Sequence, residues 1–110
     1  MDCIFCKIVQ GILPAKIIYQ DNSVVVFDDI LPKAPQHKLI VPRKHISTLN
    51  DIVCDDQELI SHMLFKAKDL AKDLGIAKSG YRIVFNCNSD GGQVVYHLHL
   101  HLMGGKLLKP

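Results

Sequence analysis

A chain of 110 residues with 48% hydrophobic side chains can build one core and leaves little room for a second domain. Thirteen Lys and Arg against eleven Asp and Glu give a formal charge of +2 with no block of one sign, which excludes a dedicated nucleic-acid binder with a concentrated basic face. The opening Met1-Asp2-Cys3-Ile4-Phe5-Cys6-Lys7 lacks the basic start and apolar run of a secretory leader, and no stretch reaches the roughly eighteen apolar residues of a membrane span. A single domain over residues 1–110 in the cytoplasm is expected.

In chain order, Ile4, Phe5, Ile8 and Val9 recur at helical spacing before Gly11, predicting a short helix over residues 3–10. Residues 17–20 and 23–28 are rich in β-branched and aromatic side chains, and Gln20-Asp21-Asn22-Ser23 between them carries turn chemistry, so a hairpin is expected. Pro32 and Pro35 make residues 30–36 irregular, and residues 37–41 read as a third strand that Pro42 closes.

Leu59, Ile60, Met63, Leu64, Ala67, Leu70, Ala71 and Leu74 repeat at three and four residues ahead of Gly75, predicting a long helix over residues 55–74. Residues 81–85 form a fourth strand and residues 86–92 a polar loop. A fifth strand is predicted over residues 94–103, closing at Gly104-Gly105. The expected class is α+β, with about five antiparallel strands, one long helix and one short one.

The chemistry concentrates in His97-Leu98-His99-Leu100-His101-Leu102. On a strand the three imidazoles share one face and the leucines the other, so one side is chemical and the other is core. Three histidines in strict alternation among only six are a poor match for chance exposure. One metal ion held by all three is excluded by reach: strand positions four apart lie about 13 Å apart, whereas zinc–nitrogen bonds are about 2.0 Å long. Neutral imidazole is instead a competent nucleophile toward phosphorus, splitting one displacement into two. Hydrogen-bond donors for the oxygens of such a centre are available in the Gly91-Gly92 amides, Gln93, Asn86, His37 and His101.

The run from Gly92 to Gly105 resembles the signature of the histidine triad family, His-φ-His-φ-His-φ-φ, and the likeness extends through residues 27–37 and 40–46. Ile4-Phe5-Cys6-Lys7-Ile8, Pro14-Ala15-Lys16-Ile17-Ile18, Ser89-Asp90-Gly91-Gly92-Gln93 and Met103-Gly104-Gly105 are most similar to the nucleotide-binding, phosphoramidase branch. The resemblance implies a homodimer with a continuous sheet that hydrolyses purine nucleoside phosphoramidates and aminoacyl or lysyl adenylates to the nucleoside monophosphate. It makes His99 the nucleophile, places His101 and His37 around the phosphate, and has His97 orient its neighbour. It assigns Asp29 to the ribose hydroxyls and Phe27 and Ile30 to the base, with Asn86, Gly92, Gln93 and Val94 completing the nucleotide site. No cofactor is required for that chemistry. The alternatives are a purine nucleotide-binding scaffold with little activity, a dinucleoside polyphosphate hydrolase and a metal-dependent hydrolase.

Two departures from the pattern bear on specificity. Val94 stands where many relatives carry Ser or Thr, and the chain ends Lys106-Leu107-Leu108-Lys109-Pro110 without a Trp-Pro-Pro-Gly type of tail.

Cys3-x-x-Cys6 lacks the βαβ context of a redox pair and is read either as two idle thiols or as half of a zinc site. His45 and a strand histidine could complete a tetrahedral set, and some bacterial relatives resemble this chain in holding zinc so. Cys3, Cys6, His45 and His97 are the candidate ligands, with a structural role. Cys54 and Cys87 read as ordinary thiols, and His62, with no acidic or histidine neighbour at ligand spacing, as structural or solvent-facing. The lysines and arginine of residues 33–45 read as a solvated loop and strand edge.

Overall fold

The computed structural model describes residues 3–110; Met1 and Asp2, which entered the reading of the amino terminus, lie outside them. Five strands form one antiparallel sheet: β1 (Ile17–Gln20), β2 (Val24–Asp28), β3 (Gln36–Pro42), β4 (Tyr81–Phe85) and β5 (Leu100–Gly104). Their spatial order is β1-β2-β3-β5-β4. Two α-helices accompany them, α1 (Ile4–Val9) and α2 (Gln57–Asp73), so the α+β class with one short and one long helix is observed as expected.

Registry divides the sheet into two chemically different faces. Val26, Ile40, Leu100 and Phe85 lie opposite one another across four strands, and so do Phe27, Leu39, His101 and Val84. Because side chains alternate along a strand, the first row points to one face and the second to the other. On the first face Val24, Val26, Ile40 and Leu100 pack with Met63 and Ala67 of α2, and Leu102 packs with Ala71 and Ile76. Each large side chain buried there contributes about 1.5–3 kcal/mol. On the second face Phe5 of α1 packs against Val25, Phe27, Leu39 and Val41. The long helix thus covers the leucine side, which leaves the histidines on the side of α1.

Short-range chemistry sets most of the element ends. The Cys3 sulfur accepts from the Cys6 amide and caps α1. Asp21 Oδ1 accepts from the Ser23 and Val24 amides at 2.8 Å each, closing the predicted β1–β2 turn. Helix α2 starts at Gln57, two residues later than the periodicity gave. Residues Cys54–Asp56 form a separate 3-10 turn there, in which Asp56 accepts from the Val53 amide and from Lys44. Leu64, placed on the apolar stripe, is exposed because it lies at the stripe's margin, beyond the reach of the sheet.

The main correction concerns β5, which begins at Leu100 and not at residue 94. Residues 95–97 form a bend. The Leu98 amide bonds to the Ile46 carbonyl at 2.6 Å, outside the sheet ladder. Apolar alternation marks which face each residue takes but does not supply a partner strand, and β3 pairs with β5 only as far as Ile40–Leu100. Among the described residues no helix is long and apolar enough to cross a membrane.

Candidate active site and a second donor cluster

The leucine and histidine sides separate as the alternation requires, even though the histidine segment is only partly strand. Leu98, Leu100 and Leu102 are fully buried, and the rings of residues 97, 99 and 101 form a row with His37 and His45 on the opposite side. The rings of His99 and His101 meet edge to face with centroids 4.9 Å apart, and Phe5 stands edge-on to His99 at 5.0 Å.

Acceptor atoms decide which nitrogen of each ring carries hydrogen, because a carbonyl oxygen can only accept. His99 Nδ1 lies 2.7 Å from the His97 carbonyl oxygen, so Nδ1 donates and Nε2 keeps its lone pair. Nε2 has no hydrogen-bond partner among the described residues. His37 Nδ1 accepts from the Lys33 amide at 3.0 Å, which puts the hydrogen on Nε2, 2.9 Å from His101 Nδ1 and 3.4 Å from Asp29 Oδ2. The neutral His101 ring therefore accepts at Nδ1 and carries its own hydrogen on Nε2. Asp29 is held by its amide to the His37 carbonyl and by the Leu31 amide on Oδ1.

Electrostatics keep these rings uncharged. Burial lowers the affinity of His99 for a second proton, partly offset by the bond to His97 and by Asp29. Burial also leads for His101, with His99 and His37 adding to it, and takes that ring down to about 4. His37 is lowered by burial against the pull of Asp29. An unprotonated lone pair at His99 thus lies beside a hydrogen-bond donor at His101, the pairing that displacement at phosphorus calls for.

The remaining nucleotide-site candidates divide. Phe27 is buried against Phe5, ring centroids 5.5 Å apart, below the histidine row, whereas Ile30 and Val94 are exposed. Asn86 Nδ2 bonds the Gly91 carbonyl at 2.8 Å and braces the loop. Gly92 adopts φ +82°, a left-handed conformation suited to glycine. Gln93 is buried and fully engaged: Oε1 accepts from the Asn88 amide, and Nε2 donates to the Ser47 and Val95 carbonyls. In this arrangement it braces the loop, with no amide hydrogen left over for a ligand.

Cys3, Cys6, His45 and His97 converge from three chain segments, one donor atom of each lying within 4.8 Å of all the others. His97 Nε2 donates to the Pro42 carbonyl at 2.8 Å, which leaves the Nδ1 lone pair facing the cluster. That Nδ1 is 3.3 Å from Cys3 Sγ, 3.4 Å from Cys6 Sγ and 3.1 Å from His45 Nδ1, and Cys6 Sγ is 3.3 Å from His45 Nδ1. A tetrahedral ion with bonds of about 2.0–2.3 Å sets its ligand atoms about 3.3–3.8 Å apart, so two sulfurs and two imidazole nitrogens fit it closely. The thiols are free, and burial together with Cys3 pushes the Cys6 thiol up.

A second convergent group, Asp29, His37 and His101, is comparably tight but chemically different. Its His37 Nε2 already carries the hydrogen that the Lys33 amide forces onto it, so a cation there would have to displace that proton and break the Nδ1 contact. It is built as a hydrogen-bonded chain, whereas the cysteine cluster is built as a ligand set.

Sequence reasoning did not name Phe5 or the carbonyls of Pro42 and Ile46 as parts of this region. Phe5 lies between the two cysteines and could have been found from them; the carbonyls leave no trace in a sequence. His62 finds its acidic partner outside its own helix, in Asp21 of the β1–β2 turn, 2.7 Å away. Cys54 is exposed and Cys87 half-buried, both free. Three basic residues of the 33–45 stretch are paired locally, Lys38 with Asp28, Lys44 with Asp56 and Arg43 with Gln20 and the Asp21 carbonyl.

Fold and site together define a class: a five-stranded α+β domain with a histidine-lined face. The family model described as "Scavenger mRNA decapping enzyme C-term binding" matches residues 2–109. The chain is 44% identical over 109 residues to the purine nucleoside phosphoramidase of Escherichia coli, covering 99% of this chain and 92% of that protein. It is similar to a solved HIT family hydrolase from Legionella pneumophila, with TM-score 0.96 and 52% identity over 98% of this chain and 96% of that one. A histidine triad protein from Clostridium difficile superposes with TM-score 0.96 at 44% identity, over 100% of this chain and 96% of that one. The chain belongs to the histidine triad family, among its hydrolases.

Proposed function

We propose that this hydrolase cleaves purine nucleoside 5'-phosphoramidates, and the related aminoacyl or lysyl adenylates, to the nucleoside monophosphate through a covalent nucleotidyl intermediate on His99. The observation that carries this reading is the 2.7 Å contact between His99 Nδ1 and the His97 carbonyl, which fixes the tautomer and leaves Nε2 as the nucleophilic atom. Similarity to a protein named purine nucleoside phosphoramidase supports the substrate class.

In the first step Nε2 forms a bond to phosphorus as the phosphorus–nitrogen bond breaks; the phosphoramidate nitrogen takes a proton from solvent and leaves as the neutral amine, while the Nε2–H of His101 donates a hydrogen bond to a phosphoryl oxygen. The imidazolium formed at His99 keeps its Nδ1 hydrogen on the His97 carbonyl, which stabilises the new positive charge. His37, donating to His101 Nδ1, orients that ring, and Asp29 beside His37 is placed for the ribose hydroxyls. Water then attacks phosphorus and loses a proton to solvent as the phosphorus–Nε2 bond breaks, which frees neutral His99 and releases the monophosphate. No metal or organic cofactor takes part in these steps. The cysteine cluster would hold a structural zinc ion, clasping the amino terminus to the sheet. The working unit is a homodimer in the cytoplasm.

The test is turnover of adenosine phosphoramidate beside a dinucleoside polyphosphate, with wild type and His99→Ala. Preferred cleavage of the phosphoramidate, a quenched wild-type intermediate carrying AMP on His99, and loss of turnover by orders of magnitude in the variant are expected. Equal turnover by His99→Ala would end the proposal, and binding of AMP without turnover would favour a nucleotide-binding scaffold.

A further inference from the structure

The nucleophile sits just before the sheet ladder begins. Pairing of β5 with β3 and β4 starts at Leu100, so neither His97 nor His99 is fixed by strand partners. The segment ahead of it is a bend, held by the Leu98 amide on the Ile46 carbonyl and by the side chain of Gln93. The carbonyl that orients His99 shares its peptide unit with the Leu98 amide, and the residue that bears it is fixed further by its own ring. That ring is held at Nε2 by Pro42 and at Nδ1 by the cluster of Cys3, Cys6 and His45.

The same cluster reaches His99 from a second direction. Cys3 caps α1 and Cys6 lies within it, so the cluster fixes the helix that carries Phe5. The Phe5 ring stands perpendicular to that of His99, at 89°, with centroids 5.0 Å apart. One set of four donors thus holds both the acceptor at Nδ1 and the apolar wall against the ring.

We propose that Cys3, Cys6 and His45 are positioning residues for the His99 nucleophile, and that a tetrahedral divalent cation of the zinc type, bound by them and by His97, locks the His97 carbonyl and Phe5 in place. The cation touches neither substrate nor phosphorus. Its contribution is to the alignment of Nε2, so its loss lowers the rate of the chemical step more than it weakens substrate binding. The catalytic consequence rests on the phosphoramidase reading; the geometric one does not.

The experiment compares the full-length chain loaded with one equivalent of zinc, the same protein stripped by a chelator, the double variant Cys3→Ser/Cys6→Ser, and His45→Ala beside His45→Cys. Zinc content, the NMR resonance of the His99 Nδ1 hydrogen, and kcat and KM for adenosine phosphoramidate are read on each. Loaded wild type and His45→Cys, which retains four ligands, should hold one zinc and show a slowly exchanging Nδ1 hydrogen. The stripped protein, the double variant and His45→Ala should remain folded by circular dichroism, lose that resonance to exchange, and show kcat reduced about 10- to 100-fold with KM changed less than about threefold. Less than about a tenth of an equivalent of zinc on wild type, a threshold well below one-site occupancy, would overturn the proposal. So would an unaltered Nδ1 resonance in folded, metal-free protein. If loaded wild type turns over no phosphoramidate, the functional reading fails, and the Nδ1 resonance alone decides the positioning role.

Discussion

His62 Nε2, in the second turn of α2, lies 2.7 Å from Asp21 Oδ2 in the β1–β2 turn, tying the long helix to the hairpin at the far edge of the sheet. Asp21 also accepts from the Tyr19 hydroxyl and from the Ser23 and Val24 amides. Burial pushes its carboxyl up, but these donors win and hold it far below the usual carboxylate range.

Asp21→Ala should therefore destabilise the protein by about 2 kcal/mol at pH 7, and His62→Ala, which removes one partly exposed partner, by less than about 1 kcal/mol. Urea unfolding measures both. A carboxylate with a depressed folded pKa stabilises above its unfolded value, so the gap between wild type and Asp21→Ala should persist at pH 5 and shrink as the pH falls below about 4.

The histidine row acts in the same direction at higher pH. His101 titrates at about 4 in the folded chain, against an ordinary value of 6.5. Between those values the unfolded chain binds the extra proton, so stability falls as the pH falls from 6.5 toward 4. Replacing His101 with Gln should flatten this slope by up to one proton, read as the pH dependence of the unfolding midpoint. Because burial also lowers His99, the acid limb of turnover should have its midpoint below 6.5, measured as kcat for adenosine phosphoramidate from pH 4.5 to 8.

Gly91→Ala tests the loop that leads into the histidines. A Cβ at this position would come within 2.5 Å of the Cys87 carbonyl oxygen and 2.9 Å of the Cys87 nitrogen, both backbone atoms that cannot swing away. The loop must shift, and with it the Asn86 contact and the Gln93 brace. A loss of about 1–3 kcal/mol in chemical denaturation, together with lower turnover, is expected.

Leu100→Ala isolates the core side of the same strand. Leu100 is 1% exposed and packs with Val24, Val26, Ile40, Met63 and Ala67 beneath α2. Cavity formation should cost about 2–5 kcal/mol in guanidinium unfolding while the protein that remains folded keeps its nucleotide affinity.

The alternation at residues 97–102 and the repeat along α2 could be read without coordinates because each arises from geometry within a single element. A period of two assigns faces and a period of 3.6 assigns a stripe, whatever the partner turns out to be. The turn at Asp21 was legible for the same reason, since its hydrogen bonds span only three residues. Leu64 marks the limit of such reading, because a stripe's margin is buried only if a neighbour extends that far.

What only the tertiary structure decided were relationships between distant segments. Cys3 and His97 are 94 positions apart, and His62 and Asp21 are 41 apart. Nothing local encodes those separations, which follow from how α1 and α2 pack on the two faces of the sheet. The start of β5 at Leu100 was hidden likewise, because a strand ends where its partner stops offering backbone groups. The sequence by itself determined which side chains share a face, while packing determined which nitrogen of His99 faces a carbonyl and which faces outward. A proton's position on an imidazole depends on the acceptor beside it, and that acceptor is placed by the whole fold.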